Sequence, residues 1–294
     1  MVLDRVGDAA RRLSVIVLVA VALSIPAHVR ASDPVVRGPI DHAFQRLYNF
    51  DFAGSLSILD EAGRADPQNP LVPSVRAAAY LFMELDRLKI LETKFFMNDD
   101  NMVDGSSRPK PDPAVRVKLF GAFDDTKKLA AARLAANPED EAGLFALSMS
   151  AGLETDYAAL VEGRTWRSMK LAKASLDPAK KLITRNPPCY DAYVTFGATE
   201  YVVGNLPFFV RWFVRYDGIE GDKRRGLEQV KLAARHGRYY GPFARILLAM
   251  ASLREKKLAD AHQLLAGLAD EFPENPLFRK ELRIVADRMR TSRR

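Results

Sequence analysis

The stretch "FDFAGSLSILDEAGRADPQNP", Phe50 to Pro70, is rewritten near the other end of the chain as "KKLADAHQLLAGLADEFPENP", Lys256 to Pro276. The two marker prolines, Pro67 and Pro273, lie 206 residues apart. A chain that writes one supersecondary unit twice is built from repeats, and this constrains its fold more than any other feature. Within each copy the small residue (Ser55, Ala261) sits where two helices must cross, and large apolar residues one turn away fill the flanks. The proline then ends the second helix and turns the chain into the next unit. One such hairpin cannot bury its apolar face alone, so copies stack.

The last copy is the fullest. From Pro242, "PFARILLAMASLREKKLADAHQLLAGLADEFPENP" carries Leu248-Ala249 on a first helix. Leu258, Ala261, Leu265 and Leu268 follow on a second, with Pro273 closing. The opening copy matches with Phe52, Ser55, Leu59, Ala62 and Pro67. Two central stretches, Asn137–Gly152 and Asn186–Tyr201, each start a helix after an Asn-Pro, and the second holds Tyr193-x-x-Phe196-Gly197. These residues resemble the tetratricopeptide repeat family. The resemblance implies an all-α fold: a right-handed superhelical stack of antiparallel helix hairpins from about residue 38 to 290. The first helix of each pair would then face a concave groove that binds a protein partner. Composition agrees with a helical globular chain: 48% of residues are apolar, 28% are charged, and Ala, Leu, Arg, Lys and Glu recur in long runs.

Two stretches break the period. Residues 98–113, "NDDNMVDGSSRPKPDP", are polar with no apolar periodicity and read as an exposed loop between N-terminal hairpins (38–97) and the rest of the stack (114–290). Residues 202–238 read as an irregular insertion. There Leu206-Pro207, an apolar helix, then Gly218, Gly221-Asp222 and Gly226-Leu227 make the C-terminal third similar to the tetratricopeptide repeat 39 family and its inclusion-body-clearance relatives. That likeness implies architecture only.

The N-terminus reads as a cleavable export signal. Arg5, Arg11 and Arg12 precede the apolar run Leu13–Ile25, and Val29 and Ala31 occupy the −3 and −1 places of a cut after Ala31. That run is shorter than the ~20 residues a spanning helix needs. The expected location is the periplasm or outside the cell. Removing residues 1–31 takes away Arg5, Arg11, Arg12 and Arg30 with Asp4 and Asp8, which lowers 44 basic and 37 acidic residues to 40 and 35 and leaves +5. The charges alternate in sign, which does not argue for nucleic acid. Cys189 is the only cysteine, so no internal disulfide is expected.

No motif points to a reaction. Gly221-x4-Gly226 has the spacing of a phosphate loop, but Leu227-Glu228 stand where Lys and Ser/Thr are required. Its glycines read as permitting a tight turn, with Asp222 capping the next helix. Asp100–Gly105 falls short of a calcium loop, because Met102 occupies a ligand position. His42, His236 and His262 share no metal-binding spacing, and Cys189 reads as a small packed hydrophobe. Asp124-Asp125 and Glu139-Asp140-Glu141 read as acids at helix starts. No catalytic activity, cofactor or metal is expected.

The feature left over is "LPFFVRWFVRY", Leu206–Tyr216, an aromatic face with Arg211 and Arg215 on its edge. It reads as core covered by neighbouring repeats, as a peptide-binding wall, or as a helix resting on a membrane surface. Tyr239-Tyr240 and Phe243, beside Arg235 and Arg238, would extend the same wall. The expected partner-binding residues are Tyr193, Phe196, Phe208, Trp212 and Arg215.

Overall fold

The structure is a computed structural model that describes residues 38–92, 94, 110–204 and 221–291, apart from the side chains of 165 and 166. The export signal with its Ala31 cut, most of the 98–113 loop, and Phe208, Trp212 and Arg215 lie outside the described residues. Among those described there are eleven α-helices and no strand. They are α1 (Pro39–Tyr48), α2 (Phe52–Ala65), α3 (Leu71–Arg87), α4 (Pro113–Ala136), α5 (Glu141–Asp156), α6 (Thr165–Arg185) and α7 (Ala192–Gly204). The remainder are α8 (Lys223–His236), α9 (Gly241–Arg254), α10 (Leu258–Glu271) and α11 (Pro276–Thr291). A π-helical turn, Tyr157–Val161, extends α5.

Most of the helices begin at an acidic cap or a proline. Asp51, Asp112, Asp140 and Asp222 each accept a hydrogen bond from a first-turn N–H of the helix they precede. Asn69, Asn137 and Asn275, each followed by a proline (Pro70, Pro138 and Pro276), each accept from the N–H two residues on. Asp124 and Asp125 are not at a helix start: both lie in the middle of α4. Of the second acidic group, Asp140 is the cap.

The repeated units are alike down to single torsions. α1 and α9 end with Phe50 and Lys256, both in the left-handed region at φ 63° and 60°, and these are equivalent positions of the two copies. In each the following N–H reaches back five residues, Asp51 to Arg46 O at 3.0 Å and Lys257 to Ser252 O at 2.8 Å. α3 ends the same way, with Lys89 at φ 58°. This is the closure in which glycine is usual.

Every helix from α1 to α11 packs on the next in sequence. Alternate helices also touch: α1 with α3, α3 with α5 and α5 with α7. Small residues set the crossings. Ala261 is fully buried, and its counterpart Ser55, also buried, donates its hydroxyl to Ala43 O at 2.9 Å. Gly226 lies inside α8 rather than in a turn, facing Gly197 of α7. Residues 223–236 of the stretch read as irregular are thus a regular helix paired with α7. The backbones of Gly204 and Gly221 also meet, so the chain leaves α7 and returns towards α8 at one point.

The two sequence copies lie side by side. The Tyr48 ring stands 5.3 Å from that of Phe272, and Asn275 donates its amide to Tyr48 O at 2.8 Å. Lys280 of α11 pairs with Glu92 at 2.8 Å, and Arg238 holds Asp41 through two bonds of 2.7 and 2.6 Å.

Candidate functional site

The first helices converge on the corner between α8 and α9. Tyr239 stacks on Phe44 of α1 at 5.1 Å and on Phe145 of α5 at 5.8 Å. Tyr240 meets Phe44, Phe145 and Phe243, and Phe243 meets Phe82 of α3 edge-on at 6.3 Å. Such ring pairs add roughly 0.5–1.5 kcal/mol each beyond their burial. Tyr48 donates its hydroxyl to Tyr239 O at 2.8 Å. Rings expected to extend a binding wall therefore form the junction of α1, α3, α5 and α9.

Asp191, just before α7, pins this corner. Its Oδ1 accepts the N–H groups of Tyr239 and Tyr240 at 2.9 and 2.7 Å, and its Oδ2 accepts that of Arg238 at 3.0 Å. Gly237 permits the approach, because a Cβ there would stand 2.9 Å from Asp191 Oδ1. Burial pushes the Asp191 pKa up; the three N–H groups and Arg238 oppose it. The Tyr240 hydroxyl is pushed well above its ordinary value by burial, with Tyr48, Asp191 and Asp156 adding to it.

Asp156 leads out of the aromatic junction. On α5, Phe145, Met149, Gly152 and Asp156 recur at spacings of four, three and four, which places them on one face. Phe145 and Met149 are buried. One turn further the face opens: a Cβ on Gly152 would meet nothing within 4 Å. Asp156 is still partly reached by solvent although protein surrounds it, and burial pushes its carboxyl up to about 7. It makes no hydrogen bond or ion pair with any described residue. Three carboxylates more fully covered than Asp156 are held, Glu84 by Arg87, Glu154 by Lys127 and Glu200 by Arg225. This face of α5 thus passes from packed rings to a carboxyl of near-neutral pKa that has no partner among the described residues.

The other expected residues fall into two groups. Tyr193 is half-buried against Val194, Val230 and Leu248, with its ring 6.3 Å from Tyr190. Phe196 is half-buried against the main core. Cys189 packs partly against that core, and burial pushes its thiol up to about 11. Among the described residues no group of His, Cys, Asp and Glu is arranged to hold a metal ion. Comparison of the chain with known protein families, curated proteins and solved structures finds no match in any of them.

Proposed function

We propose that the chain is a right-handed superhelical stack of tetratricopeptide-type hairpins that binds a protein or peptide partner on its concave inner face and catalyses no reaction. The proposed inner face of α5 carries this reading, since beyond the aromatic junction Gly152 and Asp156 leave it open and unpaired among the described residues. The contacts between alternate helices and the shared closures at Phe50 and Lys256 support a stack of like units. Stacks of this kind offer broad concave surfaces rather than deep catalytic pockets. Tyr193, Phe196, Phe208, Trp212 and Arg215 are the side chains assigned to the partner, and the leader ending at Ala31 assigns the protein to the periplasm or the exterior.

Cross-linked co-purification from native envelope extracts tests this. The parent protein is compared with a Phe208→Ala, Trp212→Ala variant and with Asp156→Asn, each checked for folding by circular dichroism. The expected result is one protein recovered by the parent and lost by folded variants. Equal recovery by all three would remove the groove assignment.

A second reading rests on the aromatic and basic sequence Leu206–Tyr216, which suits a helix lying on an anionic membrane surface. Among the described residues no helix is long and apolar enough to cross a membrane. Co-sedimentation with liposomes, abolished by the same Phe208→Ala, Trp212→Ala variant, would favour this peripheral role over the groove.

A further inference from the structure

A second feature, made of other residues, surrounds the π-helical turn. Four cations converge there on two carboxylates: Arg116 and Lys127 of α4, Arg164, and Arg167 of α6 face Glu154 and Glu162. Glu154 is satisfied by Lys127 at 2.8 Å and Arg167 at 3.3 Å. Glu162 takes Arg167 at 3.2 Å, while Arg164 and Arg116 stop at 3.5 and 3.6 Å, beyond ordinary hydrogen-bond length. Both carboxylates are about nine-tenths covered, whereas Arg164 is 61% and Arg116 46% exposed. The acids are consumed inside, and the surplus positive charge faces outward.

The frame is rigid. The Arg116 guanidinium lies over the Phe120 ring at 4.4 Å, with that of Arg167 at 6.0 Å, and Phe120 packs edge-on against Phe123 and Tyr157. Stacking fixes the plane of a guanidinium and leaves its edge free for two parallel bonds to an anion. Gly163, at φ 67°, turns the chain so that Arg164 follows Glu162 closely.

We infer that Arg116 and Arg164 form a docking site for an acidic peptide segment, one carboxylate on each guanidinium. Glu162 decides between anions. A compact phosphate bridging both arginines would sit against its negative charge, whereas two separate carboxylates straddle it. Charge-assisted, bidentate pairs of this kind are the strong class of hydrogen bond, and their salt dependence follows from their exposure.

The test uses fluorescein-labelled hexaglutamate and the full chain, followed by anisotropy at low and at physiological ionic strength, with hexaglutamine as the uncharged control. Hexaglutamate is expected to bind, hexaglutamine not, and Arg116→Gln with Arg164→Gln to weaken binding at least tenfold. A variant that removes equal charge elsewhere, Arg224→Gln with Lys231→Gln, is expected to bind within twofold of the parent. Equal weakening by both pairs would reduce the effect to overall charge and overturn the site. Unchanged binding in the first pair, no hexaglutamate binding at all, or its complete displacement by millimolar phosphate would overturn it too. Arg164→Gln alone, at the more exposed position, still reads the site if the double variant fails to fold, with an expected loss of several-fold.

Discussion

Gly197 and Gly226 meet where α7 crosses α8. A Cβ on Gly197 would stand 2.7 Å from Gly226 O, and one on Gly226 would stand 2.7 Å from Gly197 O. Both obstacles are backbone, which cannot rotate away. Alanine gains roughly 1 kcal/mol of helix propensity over glycine, but forcing the helices apart costs about 2–3 kcal/mol. Gly197→Ala or Gly226→Ala is therefore expected to lower stability by roughly 1–2 kcal/mol in urea unfolding. The double variant should lose less than the sum, because one separation relieves both clashes.

Gly267 and Gly121 give the opposite sign. Both are helical, and a Cβ on either meets nothing within 4 Å. With no clash to offset it, propensity decides, and each change to alanine should raise stability by roughly 0.5–1 kcal/mol. Lys256 complements them: it is exposed and left-handed at φ 60°, a conformation that costs an L-residue about 1–2 kcal/mol. Lys256→Gly should thus be neutral to stabilising by about 1 kcal/mol, where glycine in a helix would destabilise. Thermal melts of the three single variants check the set.

What could be read from the sequence was local chemistry. The helix starts after Asn-Pro, the Asp222 cap and the crossings at Ser55 and Ala261 follow from residue types and spacings a few positions apart, and the structure bears them out. Gly226 was misread because Gly-x4-Gly says nothing about which helix faces it. The acid pair at Asp124 was misread because α4 runs on unbroken from Pro113. The corner at Tyr239 depends on residues nearly 200 positions away, such as Asp41 and Tyr48, and no local pattern announces such pairing. Asp156 was invisible for a related reason. In sequence it is one more acid near a helix end, and only its facing and its lack of a partner among the described residues set it apart.

Asp191 offers a sharper test of how the molecule is held. Asparagine in its place can keep the two bonds to Tyr239 and Tyr240 through its single oxygen, but its amide would then face the Arg238 N–H, donor against donor. Alanine abandons all three. A lost bond to a charged group costs about 1.5–3 kcal/mol, and water entering the space that a smaller side chain leaves offsets part of the further losses. Asp191→Asn is expected to lose roughly 2 kcal/mol and Asp191→Ala roughly 4 kcal/mol. Amide exchange at residues 238–240 should quicken in the same order; protection unchanged in the alanine variant would remove Asp191 as the pin.

Asp156 couples the open face to pH. Its carboxyl is raised from an ordinary 3.8 to about 7, so between those values the folded chain holds a proton that the unfolded chain has released. Stability therefore falls as pH rises from about 4 to 7 and is level above that. The rise bounds the loss at roughly 4 kcal/mol, and the partial access of solvent reduces it. Tyr240 feels the same charge, but its own titration lies far higher and does not enter this window. Asp156→Asn should flatten the curve, leaving the variant about as stable as the parent near pH 4 and more stable at pH 8. Urea midpoints across that range decide it. If a cationic side chain of the partner is what the unpaired carboxylate receives, binding should strengthen over the same interval in which the free chain weakens, and the asparagine variant should lose both trends together.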